Sequence, residues 1–127
     1  MRRNAILILL ALAFLLSACS GGGRSEAANV VEGYYRNMVG KYDERFVAAT
    51  CAEWEEFALL EYDSFGGVTT ELEDFSCRET GTEGEFTLVQ CDGKIVASYG
   101  NELMDFPLAD RVHKVRNEGG DWRVCGY

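Results

Sequence analysis

The sequence predicts an α+β fold, with helices in its first half and an antiparallel sheet in its second. Three observations carry that expectation. Apolar residues recur at helical spacing from Glu26 to about Tyr62. Gly66-Gly67 ends that pattern. Beyond it, short runs rich in Val, Thr, Phe and Leu alternate with Gly-, Asn- and Asp-containing turns. Helices first and a strand meander after them define the α+β class rather than alternating α/β.

The helices follow in order. Ala27, Val31, Tyr34 and Met38 form one apolar stripe, widened by Val30 and Tyr35, and Gly40 is expected as the C′ residue. Asp43 is the expected N-cap of a short second helix carrying Phe46 and Val47. Thr50-Cys51-Ala52-Glu53 reads as a capping box opening a third helix, with Trp54, Phe57 and Ala58 facing inward.

The strands come next. Val68 to Cys77 forms the first, and Glu79 to Gly84 a turn-rich break. Phe86, Leu88 and Val89 begin the second. Asp92-Gly93 fits either a tight hairpin or a glycine bulge within one strand reaching Tyr99, and the bulge is preferred. Leu103, Met104 and Phe106 begin a strand interrupted at Pro107 and extended by Arg111 to Arg116. Trp122, Val124 and Cys125 end the meander. There is no internal repeat.

The N-terminus carries a different signal. Arg2-Arg3 precedes an apolar run from Ala5 to Leu16, which is too short to span a bilayer as a helix. Leu16-Ser17-Ala18-Cys19 resembles the lipobox of bacterial lipoproteins, which implies cleavage before Cys19 and a diacylglyceryl group on its sulfur. The rival is an ordinary signal peptide cut near Ala18. The expected organisation is a signal peptide over 1–18, a lipidated cysteine and Gly/Ser tether over 19–25, and one α+β domain over 26–127. The membrane is then a partner through the lipid anchor, outside the cytoplasm, with the choice of inner or outer membrane open.

All 21 acidic residues lie beyond Cys19, and the whole chain has a net charge of −9. Such a domain repels phosphate backbones, which argues against nucleic acid as a partner. Cys51, Cys77, Cys91 and Cys125 form an even set in an exported domain and are expected as two disulfides. They stand too far apart for paired zinc ligands. Three connectivities are open. If Gly81 to Gly84 closes a hairpin, Cys77 faces Thr87 and Cys91 lies about 13 Å off at strand rise. That disfavours a Cys77–Cys91 bond and favours one tying Cys51 to a strand.

Val30-Val31-Glu32-Gly33-Tyr34-Tyr35, Lys41-Tyr42-Asp43 and Gly119-Gly120-Asp121-Trp122-Arg123-Val124-Cys125 together resemble the nuclear-transport-factor-2-like (cystatin-like) superfamily, in particular its small bacterial lipoproteins. The resemblance spans about residues 26–127. It implies a long helix packed in a curled sheet, forming a cone that serves as active site, ligand pocket or filled core in different members.

No catalytic residue is assigned. Asp74, Asp92, Asp105 and Asp110 lack a distinctive motif, and His113, the single histidine, is expected at a partly exposed strand position. Gly-x-Ser-x-Gly and phosphate-loop motifs are absent. Glu53, Glu55, Glu56 and Glu61 read as a solvated helix face rather than a cation site, and no metal or cofactor is expected. Tyr34, Tyr35, Trp54, Phe57 and Trp122 are the candidate pocket residues, and of the adjacent tyrosines only one is expected to face the interior squarely. The expected function is non-catalytic binding of a small apolar ligand or an envelope protein. The alternatives are a small isomerase- or hydrolase-like enzyme using an aspartate in the cone, or a structural envelope component.

Overall fold

The structure is a computed structural model and describes residues 25–127; the signal-peptide and Cys19 expectations lie outside the described residues. Three helices pack on a five-stranded antiparallel sheet: α1 Glu26–Gly40, α2 Asp43–Ala48, α3 Glu55–Ser64, β1 Thr69–Glu83, β2 Phe86–Tyr99, β3 Glu102–Pro107, β4 Val112–Glu118 and β5 Asp121–Gly126. Among the described residues no helix is long and apolar enough to cross a membrane.

Helix α1 forms where the apolar stripe predicts. Ser25 caps it, its side chain accepting from the Ala28 N–H at 3.1 Å. Gly40 is the last helical residue rather than the left-handed C′ residue; that conformation falls to Lys41, at φ 61°. Gly40 serves close approach instead, because a Cβ there would meet the Tyr42 ring at 2.5 Å. Tyr42, not Asp43, stands at the N-cap of α2.

The expected capping box at Thr50 does not form. Thr50 donates its hydroxyl to the Phe46 carbonyl at 2.8 Å and bridges in parallel to Val124, so α3 starts later, at Glu55. The segment around Thr50 thereby covers the outer edge of β5, with Cys51 N–H donating to Val124 O and Val124 N–H to Ala49 O, both at 2.8 Å.

The sheet is organised by β2. β1 pairs along one edge of β2; on the other edge β4 takes Thr87–Gln90 and β3 takes Lys94–Tyr99. β2 is one long strand, as preferred, with Gly93 at φ 93°. The extra residue sits across from it in β1, where Asp74 and Phe75 oppose Gly93 and Asp74 takes φ 52°. Pro107 ends β3, so Val112–Glu118 is a separate strand rather than an extension.

Two disulfides staple the fold, Cys51–Cys125 and Cys77–Cys91. The first ties the helical half to β5, as favoured from the sequence. The second corrects the expectation against a hairpin bridge. β1 continues to Glu83, the turn falls at Gly84-Glu85, and Thr80 is an extra residue in β1; these shifts bring Cys77 directly opposite Cys91. Both bonds fit an oxidising compartment outside the cytosol.

The core lies between α1 and the centre of the sheet. Val31, Tyr34, Tyr35 and Met38 of α1 meet Phe46, Val89, Ile95, Val115 and Val124, all fully buried. α3 differs from α1. Ala58 is its one buried residue, while Phe57 and Leu60 point outward at 65% and 64% exposure.

Candidate functional site

A polar and aromatic cluster lies beneath α3, where α1, the start of β4 and the residue after β5 converge. His113, expected near the surface, is fully buried. Its strand explains why: inward positions alternate in β4, so His113 shares a face with Val115. Its Nδ1 lies 3.1 Å from the carbonyl of Val89, its partner across β2. A carbonyl only accepts, so Nδ1 carries the hydrogen and Nε2 is the acceptor. Tyr35 therefore donates its hydroxyl to Nε2, at 2.7 Å. Burial lowers the His113 pKa to about 4, against the Val89 bond that favours the cation, so the ring is neutral at pH 7.

Arg111 extends the network. Its Nη1 donates to the Tyr35 oxygen at 3.1 Å and to Glu61 Oε1 at 2.6 Å, and its guanidinium lies 4.5 Å from the centre of the Tyr127 ring. Tyr127 donates to the other Glu61 oxygen at 2.8 Å. Glu61 and Arg111 side chains are only 15% and 24% exposed. Glu61 thus departs from the solvated helix face expected of it. Glu53 also pairs, with Arg116 at the surface.

Both adjacent tyrosines are fully buried but meet different elements: Tyr35 packs on Phe75 and His113 of the sheet, and Tyr34 on Phe46 of α2. α1 buries a wide arc, and the two rings meet edge to face with centroids 5.2 Å apart. Burial raises both phenol pKa values above the ordinary range; Glu61 adds to the rise at Tyr34, and Arg111 opposes it at Tyr35. Among the described residues neither the Tyr34 hydroxyl nor the buried Trp54 Nε1 makes a hydrogen bond of good geometry. The two lie near one another without meeting hydrogen-bond geometry.

Of the five candidate pocket residues, Tyr34, Tyr35 and Trp54 come together here. Phe57 does not face inward: it stacks on the Trp54 ring, centroids 5.2 Å apart, with its other side in solvent. Trp122 lies elsewhere, donating its indole N–H to Glu26 at 2.8 Å and lining an open surface groove of about 570 Å³ with Val30, Asn37 and Arg45. Asp74, Asp92, Asp105 and Asp110 are exposed, Asp92 pairing with Arg78 and Asp105 with Lys94. No aspartate enters the interior cluster. Cys51 and Cys125 lie near Glu53, but their sulfurs are bonded to each other and offer no thiolate to a metal.

Sequence reasoning missed Arg111, Glu61, Tyr127 and the burial of His113. The period-two spacing of Arg111, His113 and Val115 was the available signal. No protein-family model, curated protein or solved structure matches this chain.

Proposed function

We propose that this chain is a lipid-anchored extracytoplasmic binding domain, of nuclear-transport-factor-2-like architecture, that takes a small and largely apolar ligand beneath α3 without transforming it. The observation that carries this reading is the adjacent buried pair Tyr34 Oη and Trp54 Nε1, which have no partner but each other among the described residues and lie under a helix that buries only Ala58. A buried donor without a partner costs about 1–3 kcal/mol, and a ligand acceptor would recover it. Lipobox-like residues 16–19 and the two disulfides support the tethered, exported setting.

Catalysis fits the cluster less well. Proton transfer is most effective from groups whose pKa lies near the working pH. His113 falls to about 4, and the phenols of Tyr34 and Tyr35 rise instead. The outward Phe57 and Leu60 favour a second reading, in which α3 docks an envelope protein.

Two experiments test the proposal. Cys19→Ser should release the chain from membranes, whereas continued membrane association would refute the anchor. Native mass spectrometry should find a small molecule retained by the folded chain and lost by Trp54→Ala. A ligand-free wild type whose Trp54 resonance also ignores added apolar probes would refute the interior site.

A further inference from the structure

We propose that the ligand carries a carboxylate, and that Glu61 holds the place of that carboxylate in the ligand-free protein. This rests on the reading of a ligand site beneath α3.

The receiving groups and the occupying group come from different parts of the chain. Arg111 and Tyr127 flank the sheet strands β4 and β5, and Tyr35 belongs to α1. These three are fixed to one another by the Arg111–Tyr35 hydrogen bond and by the guanidinium seated over the Tyr127 ring. Only the carboxylate arrives on α3. Its two oxygens are divided, Oε1 to Arg111 and Oε2 to Tyr127. If α3 swings outward it takes that carboxylate away and leaves a guanidinium and a phenol, both preset for a planar anion.

The chemistry of opening then selects the ligand. Arg111 is largely removed from water, and withdrawing one partner of such a pair is costly unless another anion replaces it. A neutral ligand could fill the space but would leave Arg111 without its counter-charge. A ligand carboxylate restores both hydrogen bonds. Its apolar body would lie against the Tyr34, Tyr35 and Trp54 rings, where Tyr34 Oη and Trp54 Nε1 supply donors for one further acceptor on the ligand. The class is a small amphipathic monocarboxylic acid. The same surface packed on α3 by Glu61 makes the helix a tethered competitor.

The test uses two probes that differ in charge and little else, 3-phenylpropionate and 3-phenylpropionamide. Each is titrated into the full-length chain while the indole N–H resonances are followed, with Trp122 as the internal reference. The carboxylate should shift Trp54 and bind at least ~tenfold more tightly than the amide. Glu61→Gln, which weakens the competitor but keeps its shape, should make α3 easier to displace and so tighten both probes, with the carboxylate still at least ~tenfold ahead. Arg111→Gln should erase the preference. Equal binding of both probes would overturn the carboxylate assignment while leaving a ligand site beneath α3 intact. If neither probe moves Trp54, in wild type or in Glu61→Gln, both readings are overturned. The wild-type comparison of the two probes needs no variant to fold.

Discussion

The Tyr35 hydroxyl donates to His113 Nε2 across 2.7 Å, joining α1 to β4 inside the core. The bond requires a neutral imidazole, and burial enforces one by lowering the His113 pKa to about 4 from an ordinary 6.5. In the unfolded chain the ring takes up its proton first as pH falls. The stability contributed by neutral His113 is therefore present in full above pH 6.5, declines below it, and is gone below about pH 4. The size is about 3 kcal/mol. Denaturant unfolding against pH should show this decline, and His113→Gln should lack it. A His113 that titrates near 6.5 by NMR would contradict the buried assignment.

The adjacent tyrosines should respond differently to losing a hydroxyl. Tyr35→Phe removes a group bonded to both His113 and Arg111 and should cost about 1–3 kcal/mol. Tyr34→Phe removes an unpartnered one, so stability should hold or rise by up to about 1 kcal/mol. Thermal denaturation of the two variants compares them directly, and equal losses would show that the Tyr34 hydroxyl has a partner after all.

The disulfides should differ in weight because they close loops of different length. Cys51–Cys125 spans 74 residues and Cys77–Cys91 spans 14. Loop-closure entropy gives about 4.5 kcal/mol for the first and about 3 kcal/mol for the second. Denaturant unfolding of the two double-serine variants should reproduce that order. Thiol labelling of the oxidised protein should find none of the four reactive.

Gly93 should resist substitution. A Cβ there would meet the Glu73 and Asp74 carbonyl oxygens at 2.5 and 2.6 Å, on backbone at φ 93°. Gly93→Ala should cost about 2 kcal/mol or more, measured by chemical denaturation. Gly33→Ala is the control: nothing lies within 4 Å of its Cβ position in the middle of α1, and alanine should stabilise by about 0.5–1 kcal/mol.

These residues also mark how far the sequence could be read. Helix α1 was legible because its apolar stripe is local, although its Ser25 cap fell in the stretch expected as a tether and its left-handed end at Lys41 rather than Gly40. The long β2 was legible because Gly93 could be weighed as a bulge. The Cys77–Cys91 bridge was not, since the Thr80 bulge and the later turn leave no distinctive pattern in a Gly-, Thr- and Glu-rich stretch. Thr50 looked like a helix cap but is recruited by β5, a tertiary pairing that overrides the local motif. Glu61 reads as one acid among several on a polar helix. Its partners Arg111 and Tyr127 stand 50 and 66 residues away, and only the fold brings them together.

Native-state hydrogen exchange on α3 tests the central claim, a binding interior covered by a helix that can leave, most directly. The amides of Ala58 to Tyr62 should exchange through an opening well below the global unfolding free energy, while those of Val89 and Val115 follow global unfolding. Exchange of α3 only at the global limit would mean that the interior never opens in the folded protein, and would contradict a ligand site beneath it.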